Sequence, residues 1–590
     1  MRRVVIGLLA AIGLVVVLLF IGGVVYAALG TGQEPLPERI LLTVDLTNGL
    51  SEGPRESPLL RLIAGTRPNL RDVLDGIEAA ARDPRVKGLY ARVGDDVIGL
   101  ATIEELRDAI ADFRAKGKFA IAYADSFGEF GSGTRPYYLA AAFDEIWLQP
   151  VGMLGLTGLY SEVPFFKNTL ALLGVTPSFS KREEFKTAID SLTETRMTPP
   201  YREEVDAIIA SLGDQIIDGV ARGRGLSPGQ VRQEINNGPF FATEAWQARL
   251  VDRLGYRDEA LAHARRRAGS GAERVSLASY LDHVGRADSK APKIALIYGT
   301  GLIAERGNPD LALFGGRVMS ARAMEEAFRA AVRDPEVRAI LFRIDSPGGS
   351  VVASESIWRD VVFARERGKP VIVSMGDVAG SGGYYVAAAA DKIVAEPATL
   401  TGSIGVFAGK LVLSGLYKKL GITTDSAQLG NNAGMFSAAE DFSAAGHRRL
   451  ETILNLIYSE FKDRVATGRQ MTLDKVEEVA KGRVWTGADA KARGLVDALG
   501  GYRVALRLAR QAAGIPPAAP VALVVYPKRK SLLDVLYDRL TGKGGEDGEE
   551  IGGAAALVRA VPALLPLLQQ LAPPLRAPGV LTMPPVGAPR

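Results

Sequence analysis

The sequence predicts an α/β protein made of two tandem copies of one unit behind an N-terminal transmembrane helix. Three observations carry that expectation. Short apolar, β-branched runs alternate with amphipathic segments, the pattern of parallel βαβ units. Related strings recur in the two halves of the chain, DPRVKGLYARV from Asp83 and DPEVRAILFRI from Asp334. A chain of 590 residues is also too long for a single core.

The chain begins with Arg2 and Arg3, followed by an uncharged run from Val4 to Gly30. At about 1.5 Å per residue that run crosses a hydrocarbon core. The two arginines favour a cytoplasmic N-terminus with the rest outside. Val25 and Ala27 also allow a cleaved signal peptide, but the apolar run is longer than a usual signal segment, so residues 1–32 are read as an anchor. Either reading exports the globular part. The expected units are 38–290 and 291–525, followed by a flexible Pro/Gly-rich tail over 526–590.

Within the units, Gly117-Lys118 matches Gly368-Lys369 and Tyr137-Tyr138 matches Tyr384-Tyr385. Asp144 matches Asp391, Pro150 matches Pro397, and Gly155 and Gly158 match Gly402 and Gly405. RLVDRLG, ending at Gly255, matches GLVDALG, ending at Gly500. The tail carries a basic patch (Lys528, Arg529, Lys530), an acidic linker and an apolar segment whose Pro562 and Pro566 argue against a second spanning helix.

The chemistry is expected where the copies differ. Pro370 to Met375 reads as a buried strand, Gly376 to Gly383 as a glycine turn around Ser381, and Tyr384 to Ala390 as a helix. That order presents a hydroxyl at the end of a sheet, with glycines that let a carbonyl substrate approach the backbone. The spacing is not that of the GxSxG elbow. In the first half the same place reads SFGEFGSGTRPYY, without a clean serine turn. Conversely, the first half holds SKREEFKTAID, with Lys181 and Lys186, where the second has Ala433 opposite Lys186.

A serine hydroxyl needs a base. With only His263, His283 and His447, none beside a Ser or Asp motif, a Ser-His-Asp triad is disfavoured and lysine is the remaining common option. Lys186 and Lys181 are both candidates. Lowering a lysine from about 10.4 to roughly 7–8 requires on the order of 3–4 kcal/mol of desolvation. Phe185, Ala188 and Ile189 offer an apolar wall beside Lys186. Ser403, in TGSIG, is a candidate to aim the amine.

The strings LFRIDSPGGSV, GDVAGSGGYYVAAAADKIVA, TLTGSIGV and FKTAID resemble the signal peptide peptidase A (protease IV) family in its long, two-domain bacterial form, from about residue 38 to 515. The resemblance implies tandem Clp-protease/crotonase-like domains. It implies a membrane-bound serine protease with a Ser-Lys dyad that degrades remnant signal peptides, a homotetramer whose catalytic part faces the periplasm or exterior from the inner membrane. On that resemblance Ser381 falls on the nucleophile, Lys186 on the general base and Ser403 on the hydroxyl that holds the lysine. Gly382 and Gly349 fall on the oxyanion donors. The chain departs from the family where REEFKTA replaces a glycine-rich lysine segment. There Glu183 and Glu184 would raise a nearby lysine pKa unless they point outward.

Composition limits the rivals. The 47% hydrophobic and 23% charged fractions are those of a globular protein, and a net charge of +4 without an aromatic-laced basic cluster speaks against nucleic acid. No cysteine is present, which excludes a thiol nucleophile and thiolate metal ligands. No cofactor, metal or nucleotide is called for. Two alternatives are a crotonase-like enzyme acting on acyl-thioesters without a nucleophile, and a non-catalytic membrane scaffold.

Overall fold

The computed structural model describes residues 35–53, 68–94, 98–285, 291–306, 317–517 and 519–527, together with the backbone of Val580–Thr582. The expected anchor, 1–32, and most of the tail lie outside the described residues. Among the described residues no helix is long and apolar enough to cross a membrane.

Two large sheets form, each from one half of the chain. The first runs in the order Arg253–Leu254, Glu145–Leu148, Phe119–Ala124, Val86–Arg92, Ile40–Asp45, Glu273–Ser276, and every pairing is parallel. The second runs Val484–Thr486, Leu400–Gly402, Val371–Gly380, Val337–Ser346, Lys293–Thr300, Ala522–Tyr526, with Lys392–Ala395 and Ala498–Leu499 branching from it. Its inner strands, such as Val337–Ser346, are buried on both faces, as near-continuous apolar runs in a parallel sheet demand. Helices cover the sheets. Leu70–Arg82 and Ala321–Arg333 start at Asn69 and Ser320, whose side chains accept from the first-turn amides.

The matched residues of the repeat make matched bonds. Asp144 accepts from Ala120 N–H and Asp391 from Val371 N–H, both at 2.8 Å. Asp252 accepts from Ile146 N–H and Asp497 from Ile393 N–H, at 2.7 and 2.8 Å. The Tyr137 hydroxyl donates to Leu250 O, and that of Tyr384 to Leu495 O. These residues repeat because each ties a strand start to a neighbouring turn, a requirement of the frame.

The halves are joined in three ways. One apolar cluster runs from Ile40 and Leu89 of the first half to Leu341, Ile372 and Tyr502 of the second. Arg343, fully buried, donates to Glu52 at 2.5 Å and Glu105 at 2.6 Å, both in the first half, and to Ser374 Oγ and Met375 O in its own. A third sheet mixes the halves: Thr176–Lys181 pairs antiparallel with Phe407–Val412. That sheet continues through Val580–Thr582 and Gly348–Ser350 to Leu302–Ala304 and Val318–Ser320.

The serine strand differs from expectation. The glycine stretch after Met375 was predicted as a turn, but the strand continues to Gly380. Val378 to Gly380 pair with Leu400 to Gly402, and Val378 N–H donates to Asp345 Oδ1 at 3.0 Å. Those bonds hold the glycines extended, so the chain turns only at Ser381.

Because Arg343 is itself buried and pairs with the buried Glu105 and the half-buried Glu52 of the other half, Arg343→Ala is expected to lower unfolding free energy by about 3–5 kcal/mol. Urea denaturation would measure this, and a change below 1 kcal/mol would contradict a structural role for the cluster.

Candidate active site

Ser381 ends the central strand of the second sheet in a strained conformation, φ 53° and ψ −115°. Such a backbone costs of order 1–3 kcal/mol for a residue with a Cβ. It is held from both sides: Ser381 N–H donates to Gly402 O at 2.8 Å, and Ser381 O accepts from Tyr385 N–H at 2.8 Å. The helix Gly382–Ala387 follows at once. The strain turns the chain between strand and helix with the serine at the corner.

The lysine arrives from the other half. After the strand Thr176–Lys181, Arg182 N–H donates to Val406 O at 2.8 Å and Phe185 N–H to Lys481 O at 3.1 Å. Glycines of the second half make room for it. A Cβ on Gly482 would lie 2.4 Å from Lys186 N, and one on Gly405 would lie 3.2 Å from Lys186 Cδ. Any side chain at Gly482 would push the lysine backbone away.

Lys186 Nζ lies 2.8 Å from Ser381 Oγ, 2.9 Å from Ser403 O and 3.0 Å from Ser403 Oγ. All three residues are fully buried. A neutral amine has two N–H groups and one lone pair, which matches this set. The N–H groups can donate to the two Ser403 oxygens while the lone pair receives the Ser381 hydroxyl hydrogen. Burial pushes the amine well below the ordinary lysine range, against a smaller opposing pull from the Glu204 carboxylate. Ser403 is itself at φ 50°, and its N–H donates to Arg483 O at 2.7 Å.

The other sequence candidates separate clearly. Lys181 is bound to Asp190 at 2.8 Å and does not approach the serine. Glu184 points outward and pairs with Lys481. The three histidines engage Glu145, the Ser279 carbonyl and Glu451. Of the expected apolar wall, Ala188 and Ile189 pack on Phe407, and Phe185 lies under the Arg483 guanidinium. Gly382 and Gly349 abut one another: a Cβ on Gly382 would sit 3.1 Å from Gly349 N, and one on Gly349 would sit 2.1 Å from Ile303 O. Neither position tolerates a side chain without displacing backbone or the Ser354 hydroxyl.

One neighbour escaped the sequence reading. Glu204 is fully buried, and burial pushes its carboxyl up to about 8. Its signal was an acid in phase with Tyr201, Ile208 and Leu212 on the inward face of the helix Pro199–Arg224.

A repeated α/β unit with a serine on a strained corner, met by a buried amine from its sister unit, has the makeup of a serine peptidase. Comparison with known proteins agrees. The model of "Peptidase family S49" matches twice, over residues 112–270 and 364–516. The chain is 33% identical to "Serine protease SPPA, chloroplastic" of Arabidopsis thaliana, covering 79% of this chain and 69% of that one. It is 31% identical to "Protease 4" of Salmonella typhi over 84% of this chain and 79% of that one. A shorter match, 32% identical over 35% of this chain and 60% of the relative, is to "Putative signal peptide peptidase SppA" of Enterococcus faecium. The chain belongs to peptidase family S49 and is a serine protease.

The buried amine has a signature in stability. The unfolded lysine is protonated up to about pH 10.4, whereas burial lowers the pKa of the folded one. The unfolded state therefore binds the extra proton, and this group's contribution to stability rises with pH until about 10.4. Relative to wild type, Lys186→Met is expected to gain stability as pH falls from 10 to 7, by about 1.4 kcal/mol for each unit of depression. Denaturant unfolding of both proteins across that range tests it; a pH-independent difference would mean the amine is charged.

Proposed function

We propose that Ser381 is the nucleophile and Lys186 the general base of peptide-bond hydrolysis. The contact of 2.8 Å between them, across the seam of the two halves, carries this reading. Neutral Lys186 takes the hydroxyl proton as Ser381 Oγ attacks the carbonyl carbon. The N–H groups of Gly382 and Gly349 receive the oxyanion, each worth about 10²–10³ in rate. The lysine ammonium then gives its proton to the leaving amine, and water, activated by the same amine, hydrolyses the acyl-enzyme. Ser403 holds Lys186 in line through its two oxygens. On this reading residues 38–290 form the domain that supplies the base and 291–525 the domain that supplies the nucleophile. The origin of each large sheet in one half supports that division.

Substrates on this proposal are short, extended, apolar peptides, remnant signal peptides among them, as the name of the Enterococcus relative suggests. The binding mode is strand addition. Its support is the segment Val580–Thr582, which lies between Gly348–Ser350 and Phe407 and pairs antiparallel with both, Leu581 opposite Gly349. An extended backbone therefore fits the slot beside the serine. Pro584 and Pro585 follow in the sequence and have no N–H with which to continue such a ladder. The proposal keeps the anchor over 1–32 in the bacterial inner membrane, with the catalytic part on the periplasmic side, and a homotetramer as the family resemblance implies.

Lys186→Met is expected to lower kcat for a peptide substrate by about 10²–10⁴. Ser381→Ala should abolish both cleavage and labelling by a fluorophosphonate. Labelling at another residue, or full activity in either variant, would refute the dyad and favour the thioester or scaffold alternatives. A chain ending at Pro527 is expected to bind peptides with lower KM than the full chain, because the slot no longer has an internal occupant. An unchanged KM would show that the tail does not compete for it.

A further inference from the structure

Behind the serine and lysine sits a buried carboxyl that the mechanism above does not use. Glu204 Oε1 accepts from Val484 N–H at 2.5 Å, and Oε2 lies 3.4 Å from Thr187 Oγ1. The two partners come from different halves, and each stands one step from the reacting atoms. Thr187 follows Lys186 directly in the chain. Val484 pairs with Gly402, which precedes Ser403 and whose carbonyl receives Ser381 N–H. Arg483, next to Val484, offers the carbonyl that receives Ser403 N–H.

The surroundings suit an acceptor that stays in place. Glu204 is fully buried on the rigid helix Pro199–Arg224, whose Ser211 also hydrogen-bonds Thr486 of the second half. The charged and titratable groups facing it are Lys186 from the lysine loop, Arg483 from the strand behind Ser403, and Tyr201 from its own helix. The Arg483 guanidinium hydrogen-bonds Glu203 and lies against the rings of Phe185 and Trp485. The Glu204 carboxyl is thus left to the backbone and the hydroxyl.

We propose that Glu204 is a positioning residue that clasps the lysine loop of one half to the strand behind the serine in the other, and so sets the Lys186–Ser381 contact. Two groups on separate units need such a clasp, because a displacement of about 1 Å between reacting groups can lower a rate about a hundredfold. The inference rests on the reading of Ser381 and Lys186 as the reacting pair.

The test compares kcat and KM for one peptide substrate in the full-length protein. Glu204→Leu keeps the volume but leaves Val484 N–H without an acceptor; kcat is expected to fall at least about tenfold with KM within about threefold. Glu204→Gln still offers an amide oxygen to Val484 and is expected to keep kcat within about threefold of wild type. Wild-type kcat in the leucine variant, or a glutamine variant as impaired as leucine, would overturn the proposal. If the leucine variant does not fold, Thr187→Val cuts the other arm; a fall in kcat of roughly three- to tenfold at constant KM supports the clasp, and unchanged kcat overturns it. Lys186→Met measured alongside separates the two readings, since a dyad that does not exist leaves that variant fully active.

Discussion

The amine of one lysine, Lys186, lies in a seam where burial disfavours its charged form. Here the seam is the junction of two copies of one α/β unit, and most of its features serve that burial. Gly482 and Gly405 admit the lysine backbone and stem without leaving a gap. One edge of the strand Phe407–Val412 is covered along its length by Thr176–Lys181 of the other half. Once the amine is dry and satisfied by Ser403, the nearest group able to offer it a proton is the Ser381 hydroxyl. On the proposed reading, the reactivity of the serine follows from the packing of the junction.

The duplication explains why the junction can be so specific. Paired bonds such as those of Asp144 and Asp391, or Tyr137 and Tyr384, hold the two frames in similar shape. With the frame common to both, the turns are free to differ. One copy keeps the lysine loop and the other the serine corner. The charged contacts of Arg343 with Glu52 and Glu105 join the two halves. Glu204 extends that logic to within one residue of the lysine.

Much of this was visible in the chain before folding. The repeat, the alternation of strands and helices, the serine among glycines and the lysine missing from the second copy are all local or self-comparing signals. The glycine stretch before Ser381 was misread because glycines usually punctuate strands; here pairing with Leu400–Gly402 overrides that preference. Glu204 was passed over because an acid beside another acid, Glu203, reads as a solvated face, although its phase on the helix placed it inward.

Sequence alone therefore determined the class of the fold, its duplication, and a short list holding Ser381, Lys186, Lys181, Ser403, Gly382 and Gly349. The residues alone left both lysines open and the family resemblance favoured Lys186; the tertiary structure pairs Lys181 with Asp190 and brings Lys186 to Ser381. The reason is physical: strand and helix signals arise from neighbours a few residues apart. The amine's environment, by contrast, is made by groups some two hundred positions away, whose approach depends on how the two units pack.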